Sequence, residues 1–387
     1  MKRRIFLKTL GLGGCVVFAP NLVFAASPAG NYGNLLVLIE LKGGNDGLNT
    51  LIPYADGEYY RLRPKIAITR DQVLQLDERT GLHPSLKPLL LLWQARELAV
   101  IQGVGYPQPN LSHFRSIEIW DTASSSQEYL SEGWLSRVFA SEPVPKQFAA
   151  DGVVVGSQEL GPFSGGGTRA IALANTEQFL RQARLADDTA QKVTNPALAH
   201  ILKVENDIQQ AASRLKGNYE FKTEFPKTQF GNSLKAASQV IAGGAGVAAI
   251  KISLNGFDTH SNQPGTQQRL LVELAEGLAA FKSALIEINR WNSTLIMTYA
   301  EFGRRPQENL SNGTDHGTSN VHFLLGGKVK GGLYGLAPQL RQLDGNGNLA
   351  FGLDFRSLYT TAIDKWWEGD AKNALGGRFA ALDVLRA

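Results

Sequence analysis

Short apolar runs alternate along the chain with longer stretches in which apolar residues recur at helical spacing. The first run, Leu35 to Ile39, is unbroken, which fits a strand buried on both faces of a sheet. Leu98 to Ile101, Val247 to Leu254, Ser293 to Tyr299 and Val321 to Leu325 repeat it, and Val153 to Val155 and Ala170 to Ala172 predict two shorter strands around Gly165 to Gly167. Helices are predicted for Leu86 to Trp93 behind Pro84, from near Ser112, and for Gly231 to Ile241, Gln267 to Asn289 and Phe355 to Trp367. Residues 175–215 read as helical, polar and poor in aromatics, divided by Pro196. Leu48 to Tyr54 reads as a second extended piece, and Gly303 to Asp315 as polar loop. Strands alternating with helices predict an α/β fold, a doubly wound sheet with helices on both faces. No linker divides residues 27–387, so one domain is expected, with a helical insertion at about 175–217.

The amino terminus changes the picture of charge. Lys2, Arg3, Arg4 and Lys8 precede a short apolar region, and Val23-Phe24-Ala25 offers small residues for cleavage. Residues 1–26 therefore read as a signal peptide, and the paired arginines as a twin-arginine signal read by the translocase that exports folded proteins. A periplasmic or otherwise exported protein is expected, with no permanent membrane span, because Gly13-Gly14, Pro20 and Asn21 break the apolar stretch. The formal charge of +4 comes from those four basic residues, since no acid precedes Ser27. The remainder is close to neutral, which argues against a nucleic-acid partner. Cys15 is the only cysteine and lies in the signal, so disulfides and thiolate chemistry are excluded from the rest.

Candidate chemistry collects where strands end. Asp46, in Gly43-Gly44-Asn45-Asp46-Gly47, follows the first strand, and reads equally as a turn residue or as a ligand carboxylate. Asp258 and His260 follow the third buried strand, Glu301 follows the fourth, and Asp315-His316 precede the fifth. If these strands are adjacent, six acidic and imidazole groups meet at one sheet edge. Gathered carboxylates repel unless a cation neutralises them, and oxygen and imidazole donors suit zinc, manganese, magnesium or calcium. Singly, each has a plainer reading: a turn cap for Asp258, a surface position for His260, an ion pair with Arg304 or Arg305 for Glu301. Ser112 opens a helix after a Gly/Pro loop, where a hydroxyl serves as an N-cap or faces an anion. His83, His200 and His322 read as structural. No Gly-x-Ser-x-Gly elbow, P-loop or dinucleotide fingerprint is present.

Taken together, LIELKGGNDGLNTLIPY, GLHPSL, GVGYPQPNLSHFRS, FDTHSNQ, TYAEFGRRPQEN and GTDHGTSNVHFLLGGKVKGGLYG resemble the domain-of-unknown-function 1501 family, within the alkaline phosphatase and sulfatase superfamily. The resemblance implies a mixed, mostly parallel central sheet between helices, with one or two metal ions at its carboxyl edge and phosphoryl or sulfuryl transfer as the chemistry. It implies Ser112 as nucleophile, Asp46, Asp258, His260, Glu301, Asp315 and His316 as the ligand set, and Arg115 or Arg304 as holder of the anion. Phe302 stands where the superfamily pattern has a histidine. The resemblance thus implies an exported metal-dependent hydrolase acting on a small anionic ester or an envelope polymer. The alternative is an enzyme-derived binding or assembly protein of the periplasm that has lost turnover.

Overall fold

The computed structural model describes residues 30–173 and 219–386. The expected signal peptide, the helical insertion proposed for 175–217, and His200 lie outside the described residues.

Among the described residues, nine strands build the main sheet: β1 (Leu35–Lys42), β2 (Leu98–Gly105), β3 (Ala150–Val155), β4 (Ala170–Leu173), β5 (Val247–Asn255), β6 (Thr294–Tyr299), β7 (Asn320–Leu325), β8 (Gly332–Gly335) and β9 (Leu353–Asp354). They lie in the order β8-β2-β7-β6-β1-β5-β3-β4, with β9 also paired to β2. Strand β7 runs antiparallel to both of its neighbours, and every other pairing in this sheet is parallel. The mixed, mostly parallel sheet expected from the sequence is the sheet observed.

The unbroken apolar run of β1 is explained by its two faces. Leu35, Val37, Ile39 and Leu41 enter one core, with helices α3 (Gln229–Ala242) and α4 (Gln263–Glu287). Leu36 and Leu38 enter the other, with α1 (His113–Thr122), α2 (Trp134–Ser141) and α5 (Arg356–Thr360). Each such buried Leu, Ile or Val side chain contributes about 1.5–3 kcal/mol, so both faces specify the strand.

Several elements differ from expectation. Leu48 to Tyr54 is not one extended piece: Gly47–Thr50 forms a helical turn, capped by the Asp46 side chain on the Leu48 amide, before the short strand Leu51–Ile52. Strand β2 continues to Gly105, past the residues read as its end. The expected polar loop after Gly303 is an antiparallel ribbon, Gly303–Glu308 against Thr314–Gly317. Its charged residues hid the pairing, because a ribbon at the sheet edge needs little apolar alternation.

Candidate metal centre

Five segments meet at one edge of the main sheet. The exits of β1, β5 and β6 lie side by side, because β1 is central between the other two. Strand β2 leads, through a Gly/Pro loop, to α1. Strand β7 runs the other way, so its entry, and the ribbon before it, arrive at the same edge. This antiparallel strand is what brings Asp315 and His316 into reach.

Among the described residues, His113, Asp258 and His316 offer ligand atoms that all lie within 4.8 Å of one another, a group able to hold a metal ion. The protons on these rings follow from their outer partners. His316 Nδ1 lies 2.7 Å from the Leu111 carbonyl, which only accepts, so Nδ1 donates and Nε2 of the neutral ring carries a lone pair. His113 Nδ1 lies 2.8 Å from Glu301 Oε1 and donates to it, leaving His113 Nε2 as a second lone pair. Those lone pairs face Asp258: His316 Nε2 lies 3.4 Å from its Oδ1 and His113 Nε2 3.4 Å from its Oδ2. Acceptor therefore faces acceptor, an arrangement resolved by a cation among them or, on the His316 side, by a proton on His260 Nε2. A ligating histidine anchored through its other nitrogen to a carboxylate or carbonyl is the usual outer shell of such a site. Two imidazole nitrogens and a carboxylate oxygen fit zinc or manganese.

His260 adjoins this group. Its Nε2 lies 2.9 Å from His316 Nε2 and 3.1 Å from Asp258 Oδ1, and its Nδ1 is 3.3 Å from Asp315 Oδ1. The Asn309 side-chain amide donates to the His260 carbonyl and to Asp315 Oδ1, fixing this arm. The mouth is open to solvent, with the Asp258 side chain 46% exposed and Asp315 50%.

The electrostatics follow the contacts. The hydrogen bond to Glu301 raises the His113 pKa above the ordinary imidazole value, outweighing burial. Burial lowers that of His316. Burial alone would raise Asp258, but the Arg304 hydrogen bond and charge hold it below the ordinary carboxylate range. The Asn309 hydrogen bond leads in lowering Asp315.

The remaining candidates lie elsewhere. Asp46 is buried one layer below, where Arg63 Nη1 and Nη2 donate to its two oxygens at 2.5 and 3.0 Å. Gln263 donates to Asp46 as well, and its own oxygen accepts from Thr259 and Thr314. Glu301 is buried, and accepts from the Gly43 and Gly44 amides at 2.9 and 3.1 Å as well as from His113. The ion pair with Arg304 or Arg305 weighed for it is absent. Both glycines have positive φ, and a Cβ on Gly43 would sit 2.3 Å from the Asp258 amide, so the turn needs glycine there.

Arg304 is occupied within the fold, whereas only Nη2 of Arg115 donates, with its Nη1 3.1 Å from Glu118 Oε1 and its Nε without a hydrogen-bond partner among the described residues. Arg304 is fully buried and donates to the carbonyls of Gly43, Gly44, Phe257 and Thr314 and to Asp258 Oδ1. Arg115 donates to the carbonyls of Ser125, Ser126 and Glu128, and its guanidinium lies 3.8 Å over the Tyr129 ring. Ser112 caps α1 without a side-chain hydrogen bond to that helix and is exposed. It lies between Leu111, whose carbonyl holds His316, and His113. Phe302, at the position of the expected histidine, is buried, with its ring centroid 4.8 Å from that of His113 and 4.3 Å from that of His316.

Sequence reasoning passed over His113, because Ser112 beside it drew the attention. The signal was present: an imidazole in the first turn of a helix leaving the edge where the other donors gather. The two histidines read as structural lie away from this group. His83 Nδ1 accepts from the Ser85 amide, and His322 is fully buried, its pKa lowered to about 3 by burial.

A family model described as protein of unknown function, DUF1501, matches residues 34–375. The chain belongs to this family. Against solved structures, the DUF1501 chain is similar to the C-terminal periplasmic domain of EcEptC from Escherichia coli in complex with zinc. The identity is 11%, over 78% of this chain and 74% of that one, with a TM-score of 0.35. A sulfatase from Pseudoalteromonas sp. has 10% identity over 90% and 70%, TM-score 0.41. A protein of the alkaline phosphatase superfamily from Vibrio parahaemolyticus has 10% identity over 78% and 62%, TM-score 0.37. A search of curated proteins gave no match. With likenesses this distant, function is read from the site itself. No helix among the described residues is long and apolar enough to cross a membrane.

Proposed function

We propose that this DUF1501 protein is a metal-dependent hydrolase of phosphate or sulfate esters, working at the sheet edge with one divalent ion held by His113, Asp258 and His316. The observation that carries this reading is the pair of imidazole lone pairs facing one carboxylate, each ring anchored behind by Glu301 or by the Leu111 carbonyl. The ion would polarise an ester oxygen and lower the pKa of a bound hydroxyl. Ser112, exposed and free of a capping bond, is the hydroxyl for in-line attack. His260, backed by Asp315, stands beside the ligands to hold or pass a proton at Nε2. Asp46 and Glu301 act behind the centre: Asp46 neutralises Arg63 in the floor, and Glu301 sets the tautomer of His113. Arg304 fixes Asp258 from below and leaves anion binding to the ion. We also propose export before action, on the strength of residues 2–8, with an envelope ester as substrate.

The test is metal analysis of full-length protein purified without chelators, followed by turnover of nitrophenyl phosphate and nitrophenyl sulfate. About one zinc or manganese per chain is expected, with turnover abolished in Ser112→Ala. Protein without metal sinks the proposal.

One set of contacts favours the rival reading of a binding protein without turnover: Arg304 spends its N–H groups on carbonyls and a carboxylate of this chain, and Arg115 pairs with Glu118 and turns Nη2 to loop carbonyls. That reading predicts one bound ion, tight binding of inorganic phosphate, and no hydrolysis of either nitrophenyl ester.

A further inference from the structure

The two rings that face Asp258 are anchored on different segments. His316 is held by the Leu111 carbonyl, in the loop between β2 and α1, and His113 by the Glu301 carboxylate, at the exit of β6. These partners set the two tautomers, but the spacing of the rings depends on how the two segments are held to each other. Tyr106 lies at that junction. It follows β2, is buried, and its ring meets that of Phe355 edge-on, with 5.7 Å between centroids.

The Tyr106 hydroxyl reaches both segments. The Asn110 amide donates to Tyr106 Oη at 3.1 Å, and Tyr106 Oη lies 2.7 Å from Ser116 Oγ. Ser116 is fully buried in α1 and donates to the backbone carbonyl of Glu301. A carbonyl only accepts, and a serine hydroxyl has one proton, so that proton is committed to Glu301. Ser116 Oγ therefore accepts from Tyr106, for whose proton the Asn110 carbonyl, at 3.2 Å, is the longer alternative. The result is a directed chain from the Asn110 N–H through the Tyr106 and Ser116 hydroxyls to the Glu301 carbonyl. On the loop side, the Asn110 side chain accepts from the Ser112 amide at 2.9 Å, with Leu111 between them. Burial raises the Tyr106 pKa, so the hydroxyl keeps its proton. Removing it leaves the Asn110 amide and Ser116 without their partner.

We propose that Tyr106 is a positioning residue for the metal centre. Its hydroxyl ties the loop that carries Leu111 and Ser112 to the turn that carries Glu301, and so sets the separation of His316 and His113. This rests on the metal centre of the ester-hydrolase reading and adds to it a residue that touches neither ion nor ester. Without the hydroxyl each ring keeps its own anchor, but the anchors are no longer held to each other, and ordering the ligands falls to the ion.

The test compares two buried tyrosines. Tyr106→Phe keeps the ring against Phe355 and removes the hydroxyl alone. Tyr359 lies in the same core, and its hydroxyl also donates to α1, at the Trp120 carbonyl, the end of the helix away from His113. Full-length proteins stripped of metal are titrated with zinc and with manganese against a competing chelator, well below their unfolding transitions. Tyr106→Phe is expected to weaken binding about tenfold, the low end of the range for groups behind a ligand, and Tyr359→Phe to leave it within about twofold. Both should lower the metal-free thermal transition. Ser116→Ala breaks the same chain one link further on, and gives the answer if Tyr106→Phe fails to fold. It is expected to match Tyr106→Phe, and the double variant to bind no more weakly than either single one. Wild-type affinity in Tyr106→Phe and Ser116→Ala, or an equal loss in Tyr359→Phe, overturns the inference and leaves the metal centre standing. Wild-type protein that binds neither ion overturns the metal centre, and this inference falls with it.

Discussion

Asp46 and Asp258 begin as twins. Each follows a glycine-containing turn at the exit of a buried strand, and β1 and β5 are direct neighbours. Their partners separate them. Asp46 is 1% exposed and meets a guanidinium that fills both of its oxygens. Asp258 keeps Arg304 on Oδ1 and turns toward two unprotonated imidazole nitrogens and solvent. One carboxylate is complete within the fold, and the other is complete only with something added. A strand-end acid therefore marks a place where chemistry is possible, and the nearest cation decides whether the place is already taken.

That contrast can be broken most severely at Arg63. Removing one partner of a buried ion pair leaves the other charge stranded, so Arg63→Met is expected to cost about 3–5 kcal/mol of stability in denaturant titration. The double variant Arg63→Met/Asp46→Asn should recover a large part of that loss. If Arg63→Met is neutral, the pair is not what completes Asp46. At the open site the balance is reversed. His113→Ala is expected to weaken zinc or manganese binding by at least about a hundredfold, yet to shift the metal-free unfolding free energy by under about 1 kcal/mol, because the ring is partly exposed. A large loss of metal-free stability with unchanged metal affinity would reverse the assignment.

A smaller effect is expected behind the ligand. Glu301→Gln should weaken metal binding about 10–100-fold at high pH by removing the carboxylate that orients His113. It should also move the pH dependence. Glu301 raises the His113 pKa, and the metal competes with that proton, so affinity in the wild type falls as pH drops through the raised value. Without the carboxylate that fall is expected at lower pH. Affinity profiles that superimpose after scaling would remove Glu301 from this role.

The smallest effect concerns a buried charge group inside the sheet, where Lys251 lies 3.1 Å from Glu40 and close to Asp121. Burial pushes Asp121 up to about 7, against the pull of Lys251. An acid with a raised native pKa contributes stability below its unfolded pKa and loses that contribution as pH rises through the native value. Asp121→Asn mimics the protonated acid, so it is expected to change stability by under about 1 kcal/mol near pH 4 and to flatten the decline between about pH 4 and 7. Thermal unfolding across that range checks the sign.

The fold was legible because β1, β5 and β6 carry long apolar runs that no exposed element would tolerate. The convergence of Asp258, His260 and His316 was legible too, since it follows from strand ends alone. The distinction between Asp46 and Asp258 was not. It depends on Arg63, seventeen positions downstream of Asp46 and delivered by a short helix with no motif of its own. His113 was missed for the opposite reason: it sits beside a serine whose conventional role at a helix start explained the stretch without it. The ribbon after Gly303 was hidden because its residues are chosen for contacts at its base, where Arg304 and His316 pair across the strands.

Arg304 carries one more consequence. A single side chain stitches the turn after β1, the turn after β5 and the far strand of the ribbon to Asp258. The scaffold around the ligands is therefore braced before any ion arrives, and loading it asks for little rearrangement. Amide exchange at Gly43, Gly44 and Phe257 should look alike with and without bound metal, and association should run fast, as entry into a socket already cut to shape.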